Sequence, residues 1–360
     1  MRPGVKKYPP GGRDGSWRRR RPWAMLGPMR PGKIARTLSA MLLSRRPVIL
    51  YHKPTARCDC RCRFCDSWLQ QPDHDDTISS DQGLALLDEA QRAGMTMYVV
   101  WGGEPLLVEQ LPAWLHRARG HGMRTVVCTS GSRLQERAAE IGPHTERLLL
   151  SLEGIGARHD RLRGRPGLFE RMVAGLDEYR RHGREVIIWS NLNGENTDQV
   201  PEILRFAREY RVGVEFFPTA RFAGYNEKLL LGDEQRRQVF AVVKEAKRRG
   251  WPVLNTWHAL ELMSSGRSFV CNTPLLSIQV AADGDIYPCD PRLNPGLQPC
   301  GHLGELDLKS PEARQRFARA GRRLRNCNNC LLPCVADMAD NLSAQVLRKM
   351  FNRAYYRLHR

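Results

Sequence analysis

The stretch "VILYHKPTARCDCRCRFCDSW", Val48–Trp68, runs a short apolar segment into four closely spaced cysteines, Cys58, Cys60, Cys62 and Cys65. The apolar part reads as a strand that the following Lys-Pro-Thr brings to an end, so the thiols fall on the loop after the strand. The downstream pattern decides what kind of sheet this is. Five more apolar runs follow: "MYVVW" (97–101), "TVVCT" (125–129), "RLLLSL" (147–152), "EVIIWSN" (185–191) and "GVEFFP" (213–218). Segments of helical period occupy 80–93, 108–120, 134–141, 168–182, 198–210 and 233–249. Strand and helix alternating six times predict a parallel sheet with helices outside it, either an open doubly wound sheet or a partial (β/α)6 barrel. In both, functional side chains gather at the C-terminal ends of strands. The cysteines lie at such an end.

Composition restricts the chemistry. A chain of 360 residues, 41% hydrophobic, supports two or three globular units. No apolar run approaches the roughly 18 to 20 residues of a membrane span, and the arginines of "RRRRPWAMLGPMRPGK" precede too short an apolar patch for a secretory signal. The expected compartment is cytoplasmic, where eleven cysteines stay reduced and serve metals or redox chemistry rather than disulfides. The net charge of +19 sits at the ends: residues 1–46 hold thirteen Lys/Arg against one acid, and residues 311–360 hold eleven against three. A near-neutral middle argues against a nucleic-acid groove in the core.

Cys58, Cys62 and Cys65 stand in C-x3-C-x2-C spacing, and Cys60 falls outside it. A closed structural zinc site draws four ligands from two separated pairs, whereas three thiolates on one loop leave one iron of a cubane cluster open. Further along, "WGGEPLL" (101–107) ends the second strand, where Gly102 and Gly103 permit close backbone approach and Glu104 offers a carboxylate. "SLEGIGARHDRLRG" (151–164) follows the fourth strand.

Together these segments resemble the radical S-adenosylmethionine (radical SAM) superfamily over residues 48–220. The cysteine spacing with Phe64 before the last cysteine, the GGEP turn and the HD..RG segment occur in the family's order. The resemblance implies a [4Fe-4S] cluster on Cys58, Cys62 and Cys65. It implies S-adenosylmethionine held by Gly102, Gly103 and Glu104 at its amine, by Ser151 and Arg163 at its methionyl part, and by Asn191 with Asn193 at the end of strand five. Glu153 stands where relatives carry aspartate. Reductive cleavage of the sulfonium to a 5′-deoxyadenosyl radical follows from this resemblance, as does a one-electron donor such as flavodoxin or ferredoxin.

Past Gly250 the alternation stops and Cys271, Cys289, Cys300, Cys327, Cys330 and Cys334 appear. "VAADGDIYPC" (280–289) reads as a hairpin turning at Asp283-Gly284. This small cysteine-rich α+β region resembles the SPASM and twitch domains of radical SAM enzymes, which implies an auxiliary [4Fe-4S] cluster on Cys271, Cys289, Cys327 and Cys330. Cys334 is an alternative ligand, and a zinc ribbon is the competing reading. Asp290, directly after Cys289, matches a proton-accepting aspartate of sulfatase-maturase relatives, and a desolvated carboxylate beside an anionic cluster is expected to have a raised pKa. Cys128 reads as an inert buried thiol, and His159-Asp160 as a loop-fixing pair.

The expected organisation is a basic arm at 1–32, disordered or preceding a true start at Met29; an amphipathic lead-in helix at 33–47; a radical SAM core at 48–250; an auxiliary domain at 251–340; and a basic amphipathic helix at 341–360. That last helix docks on the core or lies peripherally on a membrane. The expected activity is hydrogen abstraction from a peptide or protein, with a lipid or small metabolite as the alternative substrate. A zinc-stabilised nucleic-acid-binding protein is the non-enzymatic rival.

Overall fold

Side chains alternate between the two faces along each central strand, and both faces are used. The computed structural model describes residues 46–70 and 78–340; the basic arm, the lead-in helix and the C-terminal basic helix lie outside the described residues. Six parallel strands follow in chain order: β1 (Ile49–His52), β2 (Met97–Val100), β3 (Arg124–Thr129), β4 (Arg147–Ser151), β5 (Glu185–Leu192) and β6 (Gly213–Pro218). They are joined through α1 (Ser80–Arg92), α2 (Leu111–Gly120), α3 (Leu134–Ile141), α4 (Ala157–Arg163), α5 (Leu168–His182) and α6 (Val200–Glu209), and α7 (Asp233–Arg248) follows β6. The helix expected from Val108 starts later, because Pro105–Leu107 forms a separate 3-10 turn and Pro112 favours the first helical turn. The expected helix from Asp198 likewise begins with a 3-10 turn at Thr197–Gln199.

The sheet has nine strands in the order β6-β5-β4-β3-β2-β1-β7-β8-β9. β7 (Ser277–Val280) lies parallel to β1, with Ile49 opposite Ser277 and His52 opposite Val280. β8 (Asp285–Tyr287) and β9 (Gly301–His302) continue antiparallel. The hairpin between β7 and β8 turns where the sequence places it: Gly284 adopts φ +91° and donates its N–H to Ala281 O at 3.1 Å. The architecture is an unclosed, mostly parallel α/β barrel with a cysteine-rich C-terminal region. Its open side is bridged by helices. α8 (Trp257–Ser265) packs on α9 (Pro333–Asp337), and Thr256 Oγ1 donates to Asp337 Oδ1 at 2.8 Å.

Leu50, Tyr98, Val100, Val127, Leu148 and Ile188 face outward into the principal core beneath the helices. Their neighbours Ile49, Val99 and Val126 face inward and form a second apolar cluster with Leu276, Met338 and part-buried Tyr51, Cys128 and Cys334. The period-two alternation of the strands thus builds a packed outer layer and an apolar inner wall.

Candidate active site

The cysteine loop is bolted to three neighbouring segments by main-chain hydrogen bonds. Gly103 N donates to Thr55 O (3.1 Å) and Glu104 N to Arg57 O (2.9 Å), while Arg61 N and Arg63 N donate to Arg163 O and Leu162 O, each at 3.0 Å. Tyr225 Oη donates to Cys62 O (2.8 Å) and Asn226 Nδ2 to Phe64 O (3.1 Å). The close approach that the glycines permit is to this loop rather than to a ligand. A Cβ on Gly103 would sit 2.0 Å from Arg57 O, and one on Gly102 would sit 2.2 Å from Lys53 Cγ.

Cys60 is drawn into the thiol set that its spacing excluded. It is 1% exposed, and the sulfur of Cys58, a carboxylate oxygen of Asp59 and the sulfur of Cys60 all lie within 4.8 Å of one another. The Cys60 thiol is shifted down by hydrogen bonds from Cys58 and Cys62, which are themselves shifted up by sharing them. Arg163 lies beside these thiols, with Nη1 3.7 Å from Cys62 Sγ. The Arg163 guanidinium also sits 5.3 Å from the centroid of the Phe64 ring.

Two expected ligand contacts are already occupied within the protein. Arg163 forks onto Glu153 with Nε–Oε2 at 2.6 Å and Nη2–Oε1 at 2.7 Å, so its bidentate face is not open to a substrate carboxylate. Glu153 is 1% exposed and burial raises its pKa; the charge and hydrogen bonds of Arg163 oppose that shift. Glu104 is equally buried and accepts from Leu106 N (3.1 Å), Thr129 Oγ1 (2.6 Å), Ser130 N (2.9 Å) and Ser130 Oγ (2.6 Å). Four bonds fill a carboxylate, so Glu104 fixes the ends of β2 and β3 rather than offering a free oxygen to an amine. Burial pushes its pKa up to about 7.

At the end of β4, part-exposed Ser151 faces Trp189 of β5 in register. Asn191 Oδ1 accepts from Thr219 Oγ1. Asn193 is fully buried and its Nδ2 has no partner among the described residues, an orphaned donor at the end of β5. His159 Nδ1 accepts from Glu153 N (3.2 Å), and Asp160 accepts from Gly167 N (2.7 Å) and Phe169 N (2.8 Å), capping α5. The pair fixes a loop.

Cys271, Cys289, Cys327 and Cys330 line one small cavity, walled by Leu293, Leu324 and Val335. Asn294 bonds two of these thiols: its Nδ2 donates to Cys289 Sγ (3.5 Å) and Cys327 Sγ donates to its Oδ1 (3.1 Å). Burial raises the pKa of Cys271, Cys289 and Cys330. The four thiols thus converge on one enclosed space from separate segments of the C-terminal region. Cys334 is not part of this wall; it faces the barrel interior with Cys128, whose thiol pKa burial raises. Cys300 is buried and lines neither cavity.

Asp290 departs from expectation in its electrostatics. It is 5% exposed, yet its pKa is lowered, because two contacts from Arg292 (Nη2–Oδ2 2.7 Å, Nε–Oδ1 3.2 Å) outweigh desolvation. Arg292 is a residue that sequence reasoning passed over. It reaches back to the cysteine loop, with Nη1 donating to Ser67 Oγ, 3.4 Å from Asp66 Oδ1 and 3.9 Å from Cys65 Sγ, between the rings of Trp101 and Phe222. Its only sequence signal is its place two residues after Asp290 in "CDPR". Beside it opens a cavity bounded by the inner faces of β1–β6 and by Cys289, Cys330 and the Leu332–Met338 segment.

The radical SAM superfamily is matched over residues 52–207. Fe-coproporphyrin III synthase of Methanosarcina barkeri is 27% identical over 232 residues, 61% of this chain and 57% of that protein, so the match leaves much of that relative's length uncovered. The sporulation killing factor maturation protein SkfB of Bacillus subtilis is 23% identical over 301 residues, covering 81% and 70%. SuiB of Streptococcus suis, solved with S-adenosylmethionine, superposes with a TM-score of 0.64 at 18% identity over 83% of this chain and 75% of its own. SuiB has also been solved with its precursor peptide SuiA.

Proposed function

The chain carries a radical SAM domain at residues 52–207, and from that premise we propose that it abstracts a hydrogen atom from a substrate held in the barrel cavity. The superfamily uses a [4Fe-4S] cluster and S-adenosylmethionine. We assign the cluster to Cys58, Cys62 and Cys65, with Cys60 as the buried neighbour that shares their proton. When bound, these groups supply one-electron cleavage to a 5′-deoxyadenosyl radical. The observation that carries the reading is the position of the cysteine loop. It lies at the C-terminal end of β1, locked to the GGEP turn and to α4, above a cavity that the C-terminal region covers.

The protein's own part is to position and to exclude. Arg163, oriented by Glu153, places positive charge against the thiolates. Glu104 holds the turn whose backbone would meet the methionine amine, and Ser151, Asn191 and Asn193 are assigned to the rest of that cofactor at neighbouring strand ends. Cys271, Cys289, Cys327 and Cys330 are assigned to an auxiliary [4Fe-4S] cluster. Asp290 is proposed to take a proton from the substrate as it is oxidised, its ionised form kept ready by Arg292. The electron donor is assigned to the flavodoxin or ferredoxin class.

Two substrate readings differ in their support. The likeness to SuiB and SkfB favours a peptide or protein maturase. The apolar wall of the cavity favours a lipid or small metabolite. In the deciding experiment for the activity, anaerobically reconstituted, reduced protein cleaves S-adenosylmethionine to 5′-deoxyadenosine without substrate, and Cys62→Ala abolishes this. Stoichiometric zinc without sulfide would overturn the assignment and restore the zinc-protein reading.

A further inference from the structure

The barrel cavity has walls of an unusual kind for a site that would recognise a peptide. Its inner faces present Ile49, Met97, Val99, Val126, Leu149 and Ile187, and the C-terminal segment closes on them with Leu332, Val335 and Met338. Tyr51 and Trp101, in edge-to-face contact at 6.3 Å, and Trp189 add aromatic surface.

The charged groups at this wall are engaged with other residues of the chain. Arg147 pairs with Glu185 at 2.8 Å, Glu215 Oε2 accepts from Trp189 Nε1 at 3.2 Å, Asp290 pairs with Arg292, and Asp337 accepts from Thr256. A peptide segment brings one donor and one acceptor per residue, and each amide left unpaired on burial weakens binding roughly five- to a hundredfold. Two uncharged donors of the lining, Trp101 Nε1 and Thr273 Oγ1, are buried without a partner among the described residues, and Trp101 lies at the end of the cavity nearest Arg292 and the cysteine loop.

Resting on the radical-enzyme reading above, we propose that the cavity takes a lipid-like hydrocarbon, a chain or fused-ring skeleton bearing one hydroxyl or carbonyl oxygen that accepts a hydrogen bond from Trp101 Nε1. The skeleton lies along the apolar wall, and the carbons next to its oxygen are held toward the cysteine loop. Hydrocarbon burial supplies the affinity and the indole donor supplies the orientation.

The test uses the full reconstituted chain with Nile red as reporter. The competitors are farnesol, its saturated hydrocarbon counterpart 2,6,10-trimethyldodecane, and a neutral hexapeptide. Farnesol is expected to displace the dye. Leu149→Lys, which sets a cation into the wall, should weaken farnesol at least tenfold. Trp101→Phe keeps the ring and removes the donor, and should weaken farnesol about three- to tenfold while leaving the hydrocarbon unchanged. The Trp101→Phe comparison decides the matter if Leu149→Lys does not fold. Displacement by the hexapeptide without displacement by farnesol overturns the proposal, as does farnesol affinity equal in the parent and both variants. Iron and sulfide content and substrate-free cleavage of S-adenosylmethionine are measured on the same samples. Their loss counts against the radical-enzyme reading, and the dye results count for or against the ligand class.

Discussion

The two cysteine sites are built on opposite plans. The first takes its thiols from one loop, Cys58 to Cys65, and surrounds them with charge: Arg163 on Glu153, and Arg165 on Asp59 at 2.5 Å. The second collects its thiols from three segments, at Cys271, Cys289 and Cys327–Cys330, and surrounds them with leucine, valine and two asparagines. Local spacing encodes the first, and tertiary packing alone assembles the second. The electrostatics follow: hydrogen bonds from its neighbours and the charge of Arg163 lower the pKa of Cys60 in the loop, whereas burial raises those of Cys271, Cys289 and Cys330 in the apolar cavity.

The largest test of this contrast is metal content. Reconstituted protein should bind about eight irons and eight sulfides. The Cys58/Cys62/Cys65 triple alanine variant should retain about four and lose all cleavage of S-adenosylmethionine. The Cys271/Cys289/Cys327/Cys330 quadruple alanine variant should also retain about four and keep substrate-free cleavage. Loss of cleavage in the second variant would show that the two sites do not assemble independently.

Each region contains one buried arginine–carboxylate pair, and breaking either should cost about 3–5 kcal/mol. Arg163→Ala and Arg292→Ala are both expected to lower the melting temperature markedly, and Glu153→Ala with Arg163→Ala should cost less than Arg163→Ala alone. Only Arg292 joins the two regions, so Arg292→Ala should also alter the electron paramagnetic resonance of the cluster on Cys65. An unaltered signal would leave the pair purely structural. Asp290→Asn with both clusters intact should stop product formation while label still passes from substrate to 5′-deoxyadenosine. Normal turnover would reduce Asp290 to an anchor for Arg292.

A smaller effect is set by Glu104. Its pKa is about 7 in the folded protein against an ordinary value of 4.5, so the folded state holds the extra proton between those limits. Stability should therefore fall as pH rises from about 4.5 to about 7, by on the order of 3 kcal/mol, and then level. Glu104→Gln should flatten that slope in melting curves. The smallest effect is expected from Cys60→Ala: a loss of about 1 kcal/mol in unfolding free energy with iron content unchanged. A fall in iron would place Cys60 among the ligands.

The strands were legible because each is a short apolar run between turns, and the loop site because its spacing is contiguous. The pairing of β7 with β1 was not legible, since nothing in "SIQV" names a partner so distant in the chain. The fate of Arg163 and Glu104 was hidden for a related reason. A charged residue in a motif suggests a ligand, but burial obliges it first to satisfy its neighbours, and Glu153, Thr129 and Ser130 were invisible as partners without the fold. Arg292 went unseen because its importance lies in Ser67 and Cys65, which it touches only across the sheet.

The union of β1 with β7 also imposes an order in time. Val48 N donates to Leu276 O and Lys53 N to Val280 O, each at 2.8 Å, so both ends of β1 are tied down by a strand made after the whole βα ladder. On the ribosome, β1 meets β2 early and then waits as an open edge beside the nascent cysteine loop. The cysteine loop thus acquires its second flank only as synthesis nears completion. Cells that insert the metal during translation would be loading a half-framed site, and a chain stalled before Ser277 should be the form that aggregates.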